Sequence, residues 1–538
     1  MFDVLVGQAV DKVYAGKVLT QCGVIRPYGP VTLATMGITM KNFGLGFAGG
    51  FGTLAVRSPK KIGLIDELGE LTWGDLDERS TRLANALAAL GVSEGDSVAV
   101  LCRNHRYFVE TSTALSKLGA DILYLNTAFA APQLGEVCAR ERPVAVVYDA
   151  EFGDLIDRSG IQVRRIVAWD VGVRDTAGEH PVIEDLIVGG STQKRPAPSR
   201  MSRPVILTSG TTGTPKGAPR GEAGIDAAVA LLSKIPLRAN WTCHIAAPLF
   251  HTWGWAHLNL SMLLGTTMVL RRKFDPADCV ETLQKHHCDS LVVIPVMLQR
   301  ILALPEEKRR GDFSRLKVVA ASGSALPGDL ATNWMNAFGE NLYNIYGSTE
   351  VAWATIAQPA DLRAAPGTAG KPPRNTIVKL YDELGNPARN GDAGRIFVGN
   401  SMLFEGYTGD GGNKAMLDGL MSSGDVGRFD AAGYLFVEGR DDEMIVSGGE
   451  NVFPKEIEDC LSRHELVAEA AAIGVDDEEF GKRLRAFVVV TGDVSEDELK
   501  AFVRENLARF KVPREIVFLD ELPRNATGKI LKRDLMKL

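Results

Sequence analysis

From residue 62 to residue 148, short apolar runs rich in β-branched side chains alternate with segments of helical periodicity. That alternation constrains the chain more than any other feature. Thr72 is placed to cap a helix whose Leu76, Leu83, Leu87 and Leu90 share one face, with Gly91 as its stop. Ser97–Leu101 reads as a buried strand, Tyr107–Lys117 as a helix and Asp121–Leu125 as a strand; Pro132–Arg140 and Val144–Tyr148 repeat the pair. Strands apolar on both faces need helices on both faces, so the spacing predicts an α/β fold around a parallel sheet. Further strands are expected at Leu291–Pro295 and from Lys317. Beyond Gly370, short runs at Ile377–Tyr381 and Gly394–Val398 are broken by turn residues and predict an antiparallel, β-rich subdomain. Residues 160–202 read as connecting structure.

At 538 residues the chain is too long for one core and predicts two or more domains. A net charge of −7 with no long basic run gives no sign of a nucleic-acid partner. Seven cysteines without a CxxC pair argue against a zinc site or a disulfide framework, and a reducing cytoplasm is the expected location. The first residues lack the basic start of a secretory signal. Residues 27–56 are apolar but broken by Lys41 and Asn42, too short on either side to span a bilayer. Two roles stay open for them: packing on the main domain, or an interfacial patch that makes a peripheral membrane contact. Gly44–Gly49 fits GxGxxG, but no strand–turn–helix unit surrounds it, so it is not read as a nucleotide fingerprint.

The apolar run Pro204–Leu207 leads into Thr208-Ser209-Gly210-Thr211-Thr212-Gly213-Thr214-Pro215-Lys216-Gly217. Glycines let backbone N–H groups turn inward, while hydroxyls and a lysine add donors, so such a loop can wrap a polyphosphate. It is not a Walker loop, because Pro215 precedes the lysine and Gly217 follows it. A second motif, Tyr343-Asn344-Ile345-Tyr346-Gly347-Ser348-Thr349-Glu350, combines rings for a purine with oxygen donors for phosphate and magnesium. Asp425, in a Ser-Ser-Gly-Asp turn, can accept from a ribose diol or satisfy its own backbone as an Asx-turn.

These motifs, with Gly439–Val452 and Leu522–Ile530, resemble in order those of the adenylate-forming superfamily, and within it the fatty acyl-CoA synthetases. The likeness spans about residues 62 to 538. It implies a large N-terminal domain of layered α/β subdomains plus a β-rich subdomain, with a small mobile α+β C-terminal domain. The corresponding boundaries are an apolar extension at 1–60, an adenylation core at 61–441 and a lid at 442–538. By the same resemblance, adenine lies beside Gly323, Ser324 and Ala325 and against Tyr346, next to Gly347 and Ser348. Thr349 meets the α-phosphate, Glu350 holds Mg²⁺, Asp425 takes the ribose and Arg440 the ribose or phosphate. Asp442 is the hinge, where Glu443 replaces the Asp often seen in the family. Ser447, Gly448 and Gly449 approach the thiol of coenzyme A. His251 and Trp253, in Pro248-Leu249-Phe250-His251-Thr252-Trp253, line the channel where acyl group and thiol meet.

The resemblance also implies that Lys529 bridges the carboxylate and α-phosphate, two anions whose approach a cation assists. The implied reaction is ATP-dependent conversion of a medium- or long-chain fatty acid to acyl-AMP, then to acyl-CoA. Alternatives are an acyl-AMP ligase loading a carrier protein, or a CoA ligase for another carboxylic acid. An amino-acid adenylation domain would want an acid shortly after Phe250, where His251 and Thr252 stand.

Overall fold

A computed structural model describes the chain except residues 1, 171–179, 208–216, 220–224, 390, 405, 407–413, 442–444, 448–449, 478–480, 508–510 and 526–527. Two compact units result: residues 1–321 with 404–413, and residues 322–403 with 414–538.

The first unit opens on three helices, α1 (Phe2–Gln21), α2 (Pro30–Phe43) and α3 (Phe47–Arg57). α3 is the anchored one, burying Phe47, Phe51 and Leu54. The glycines of the GxGxxG run serve this packing, since a Cβ on Gly49 would lie 1.9 Å from the Gly44 carbonyl oxygen. Thr72 and Asp75 form the expected cap: the Thr72 hydroxyl accepts from the Asp75 N–H at 3.1 Å, and the Asp75 carboxylate from the Thr72 N–H at 2.9 Å. Helix Trp73–Ala89 then buries Leu76, Leu83 and Leu87, while Leu90 becomes the C-cap and Gly91 follows at φ +91°.

Two sheets carry this unit. One orders its strands 164–167, 145–148, 97–101, 121–124, 204–207 and 217–219, all parallel except the last. In the other, 318–321, 290–293, 242–245, 267–269 and 62–66 run parallel, and 69–72 returns antiparallel. Strand Arg164–Val167 and helix Ile183–Gly189 lie where only connecting structure was expected. Each is short, which leaves little periodicity to read. The strand expected at Leu291–Pro295 stops at Val293, because Pro295 opens a helix to Leu302.

In the second unit, Leu342–Tyr346 pairs antiparallel with Thr355–Ala357. Ile377–Tyr381, Gly394–Gly399, Leu420–Phe429 and Leu435–Arg440 pair antiparallel in turn, the β-rich subdomain anticipated from the turn residues. The C-terminal part packs helices Pro454–Leu461 and Glu496–Asn506 on strands 467–477, 481–490 and 515–518, an α+β arrangement over one apolar cluster.

Candidate active site

The best-defined part of the site rests on one β-hairpin. Asp430 accepts through Oδ1 from the N–H groups of Ala432 and Tyr434, and Gly433 takes φ +79°, so the turn fixes the register of its strands. A bulge between Val426 and Gly427 then shifts that register by one residue, which places Asp425 directly across from Arg440. The Arg440 guanidinium donates to Asp425 Oδ1 at 3.2 Å, and the Tyr346 hydroxyl donates to Oδ2 at 2.6 Å. Asp425 therefore spends its carboxylate on two side chains rather than on its own backbone. Its N–H goes to Ser423 Oγ at 3.2 Å. Burial raises the Asp425 pKa above the ordinary carboxylate range, and Arg440, Tyr346 and Lys529 each pull it back. The same burial, then the charge of Asp425, pushes the Tyr346 hydroxyl well up, so it stays a donor.

Lys529 thus stands within electrostatic reach of Asp425, and the chain around it is locked. Asn525 Oδ1 accepts from the Lys529 N–H at 2.9 Å, and the Asn525 N–H donates to the Lys529 carbonyl at 2.9 Å. Gly528 closes the turn at φ +75°, and Arg524 ties it to Glu469 at 2.9 Å while donating to the Gly528 carbonyl at 2.6 Å. Arg524 and Asn525 are positioning residues that the sequence offered only as neighbours of a lysine.

Beside strand Leu342–Tyr346, the backbone is wound tightly. A Cβ on Gly347 would meet the Ala352 carbonyl oxygen at 2.1 Å, and Ala352 itself takes φ +59°. Ser348 Oγ accepts from the N–H groups of Glu350 and Val351, which leaves Thr349 and Glu350 half-buried on the turn. The Gly323–Ala325 turn is drawn to the same strand, with Ser322 Oγ donating to the Ile345 carbonyl at 2.8 Å. A further cation borders Gly424, the residue before Asp425: the space a Cβ there would enter has Arg440 Nη2 at 3.1 Å and Lys414 Nζ at 3.2 Å. Lys414 belongs to no motif read from the sequence, and only its proximity reveals it.

In the first unit, Pro248–His251 leads into helix Thr252–Leu264 with His251 at the N-cap. Asn104 clamps this turn, accepting from the Leu249 N–H at 2.9 Å and donating to the Ala247 carbonyl at 2.9 Å. Burial lowers the half-buried His251 imidazole to about pKa 4, which keeps it neutral near pH 7. Trp253 is buried, with its indole N–H donating to the Val293 carbonyl at 3.0 Å and its ring edge-on to His257 at 4.4 Å. Such bonding makes it a fixed core element.

Ser447 lies in strand Ile445–Ser447, paired across to Glu450. The phosphate-loop residues 208–214 and 216, the hinge Asp442, and Gly448 and Gly449 lie outside the described residues.

Residues 52–408 match the family described as AMP-binding enzyme, and residues 456–529 match its C-terminal domain. The chain belongs to the AMP-binding enzyme family. A member with these neighbours is an AMP-forming acid–CoA ligase, using ATP, Mg²⁺ and coenzyme A. Among curated members, a feruloyl-CoA synthase of Amycolatopsis sp is 33% identical, over 87% of this chain and 94% of that protein. Among solved members, an anthranilate CoA ligase in complex with anthranoyl-AMP superposes with a TM-score of 0.82 at 26% identity. It covers 91% of this chain and 96% of that one. An o-succinylbenzoate CoA synthetase from Bacillus subtilis, in complex with ATP and magnesium, gives 0.78 at 27% identity, over 90% and 99% of the two chains.

Proposed function

We propose that the chain activates an aromatic, ring-bearing carboxylic acid to its acyl-AMP and passes the acyl group to coenzyme A. The observation carrying this reading is the company the chain keeps: ferulate, anthranilate and o-succinylbenzoate are all aromatic acids. Two sequence features, Trp253 and the apolar N-terminal stretch, could favour a fatty chain, and neither speaks for a long acyl slot. Trp253 is committed to the Val293 carbonyl, and the apolar N-terminal stretch forms helices of which α2 buries no residue.

In the first half-reaction, a carboxylate oxygen of the acid attacks the α-phosphorus of ATP and pyrophosphate leaves. In the second, the thiol sulfur attacks the acyl carbonyl and AMP leaves. Asp425 and Arg440 suit the ribose and its phosphate, a carboxylate for the diol and a guanidinium for the anion. Lys529, whose backbone N–H and carbonyl are both bonded to Asn525, is the cation for the meeting of carboxylate and phosphate. Glu350 would supply the hard oxygen donor that Mg²⁺ takes, an ion whose charge would offset that of the phosphates, and Thr349 would meet the α-phosphate. We also propose residues 442–538 as the lid that carries Lys529, and His251 with Trp253 as the wall of the acyl channel.

The reading is tested by a series of acids scored by AMP release with coenzyme A present: ferulate, anthranilate, o-succinylbenzoate, octanoate and palmitate. At least one aromatic acid is expected to exceed both fatty acids in kcat/KM by about tenfold or more, the scale on which pocket shape discriminates. The reverse order would restore the fatty-acid reading.

A further inference from the structure

Helix α2 is turned inside out for a helix on a folded domain. Its inward stripe, Thr32, Met36, Thr39 and Phe43, is only half-buried and half polar. Its outward stripe is Val31, Ala34, Ile38 and Lys41, at helical spacing, with Leu33 and Met40 beside it. Val31 is 79% exposed, Ile38 59% and Leu33 51%. Among the described residues, four of the eighteen exposed large apolar side chains, Val31, Leu33, Ile38 and Met40, stand on this one helix, a concentration beyond the scatter any surface carries.

The charge of the same segment is just as one-sided. From Lys12 to Ile65 there are seven lysines and arginines and no aspartate or glutamate, in a protein whose net charge is −7. Three of the seven gather at the base of α2 and α3. Arg26, Arg57 and Lys61 lie within mutual repulsion, and burial followed by Arg57 and Arg26 lowers Lys61 to about pKa 8. Among the described residues their hydrogen bonds go to neutral acceptors: the Gly23 carbonyl for Arg26, Tyr28 Oη and the Leu263 carbonyl for Arg57, Asn240 Oδ1 and the Gly265 carbonyl for Lys61. Like charges held together without a counter-charge create a place for an anion to dock.

We infer that α2 and its basic flanks form a docking surface for a bilayer bearing anionic headgroups. The apolar stripe enters the headgroup boundary, Lys41 reaches back to the phosphates along its own apolar stem, and Arg26, Arg57 and Lys61 face headgroup charge. Among the described residues no helix is long and apolar enough to cross a membrane, so the helix lies on the surface. A second copy of the chain is the poorer occupant. A two-fold contact sets the same patch against itself, which would oppose two sets of unpaired cations.

The experiment is co-sedimentation of the full chain with phosphatidylcholine vesicles, with and without a quarter phosphatidylglycerol, for wild type and Val31→Glu/Ile38→Glu. Wild type is expected to bind the anionic vesicles at least about tenfold more tightly than the neutral ones, with the difference shrinking in high salt. The variant should lose about tenfold or more of that binding while keeping its thermal unfolding midpoint. Wild type remaining in the supernatant with both vesicles would overturn the inference, as would equal binding by the variant. Concentration-dependent dimerisation that the variant abolishes, without vesicle binding, would assign the surface to a second copy instead.

Discussion

Tyr346 and Lys529 act on one carboxylate, Asp425, but do different work. The Tyr346 hydroxyl, 2.6 Å from Asp425 Oδ2, favours the ionised form of an acid that burial pushes the other way. Removing it in Tyr346→Phe raises the Asp425 pKa further. The acid limb of the pH profile of kcat/KM for ATP should therefore move to higher pH. Affinity for ATP should fall about tenfold or more, the range of a lost hydrogen bond to a charged group. An unmoved acid limb would show that Asp425 is not the group titrating there. Lys529→Ala makes a sharper cut between the half-reactions. Acyl-AMP formation from ATP should be lost, because the cation that stands between two approaching anions is gone. Supplied acyl-AMP should still be converted to thioester. Equal loss of both steps would contradict the role given to this lysine.

At the scale of elements, the Pro248–Leu264 turn and helix depend on one missing side chain. A Cβ on Gly254 would lie 2.2 Å from the Pro248 carbonyl oxygen, so the first helical turn sits directly on the backbone that precedes it. Gly254→Ala must push these apart, moving His251 and loosening the Asn104 clamp. It should lower the unfolding midpoint and reduce kcat/KM together, whereas Thr72→Ala, at a remote cap, should cost only about 1 kcal/mol of stability. Urea titrations and kinetics on the two variants separate the effects. This element also shows what could be read from sequence. Strand–helix alternation announced the sheets, because burial on two faces leaves a period in the chain, and Thr72 with Gly91 marked a helix at both ends. Asp425, Arg440 and Tyr346 were legible as motif residues, but the pairing of Asp425 with Arg440 depends on a hairpin turn at Asp430 and Gly433 and on a bulge between Val426 and Gly427. Asn104 and Lys414 were not legible at all, since Asn104 acts on a turn about 145 residues away in sequence and Lys414 belongs to no motif. The exposed face of α2 was equally hidden, because periodicity tells which side of a helix is apolar and not which side is covered.

Across the whole molecule, buried imidazoles set how stability responds to acid. Burial lowers His244 and His251 to about pKa 4 and His257 to about 3, against an unfolded value of 6.5. Between those limits the unfolded chain binds protons that the native state does not. Stability is therefore fully present above pH 6.5 and declines as pH falls below it, by about 1.4 kcal/mol per histidine per pH unit. Carboxylates that burial raises, Asp425, Glu110 and Glu438, gain stability as pH falls and so oppose this loss, while Glu151 acts at lower pH. Burial pushes Glu151 up, but its hydrogen bond to Arg103 and the charges of Lys273 and Arg272 leave it near pKa 2, so its contribution is lost only below the ordinary 4.5. The loss in the window from pH 6.5 to 5 thus comes from the histidines. Equilibrium unfolding across that window should show a steep loss, and His257→Leu should reduce the slope by about a third, since one of three protonation sites is gone. A profile flat from pH 7 to 5 would mean these imidazoles are hydrated in solution. The packing of helix Thr252–Leu264, which encloses His257 and carries His251, would then be looser than the structure shows.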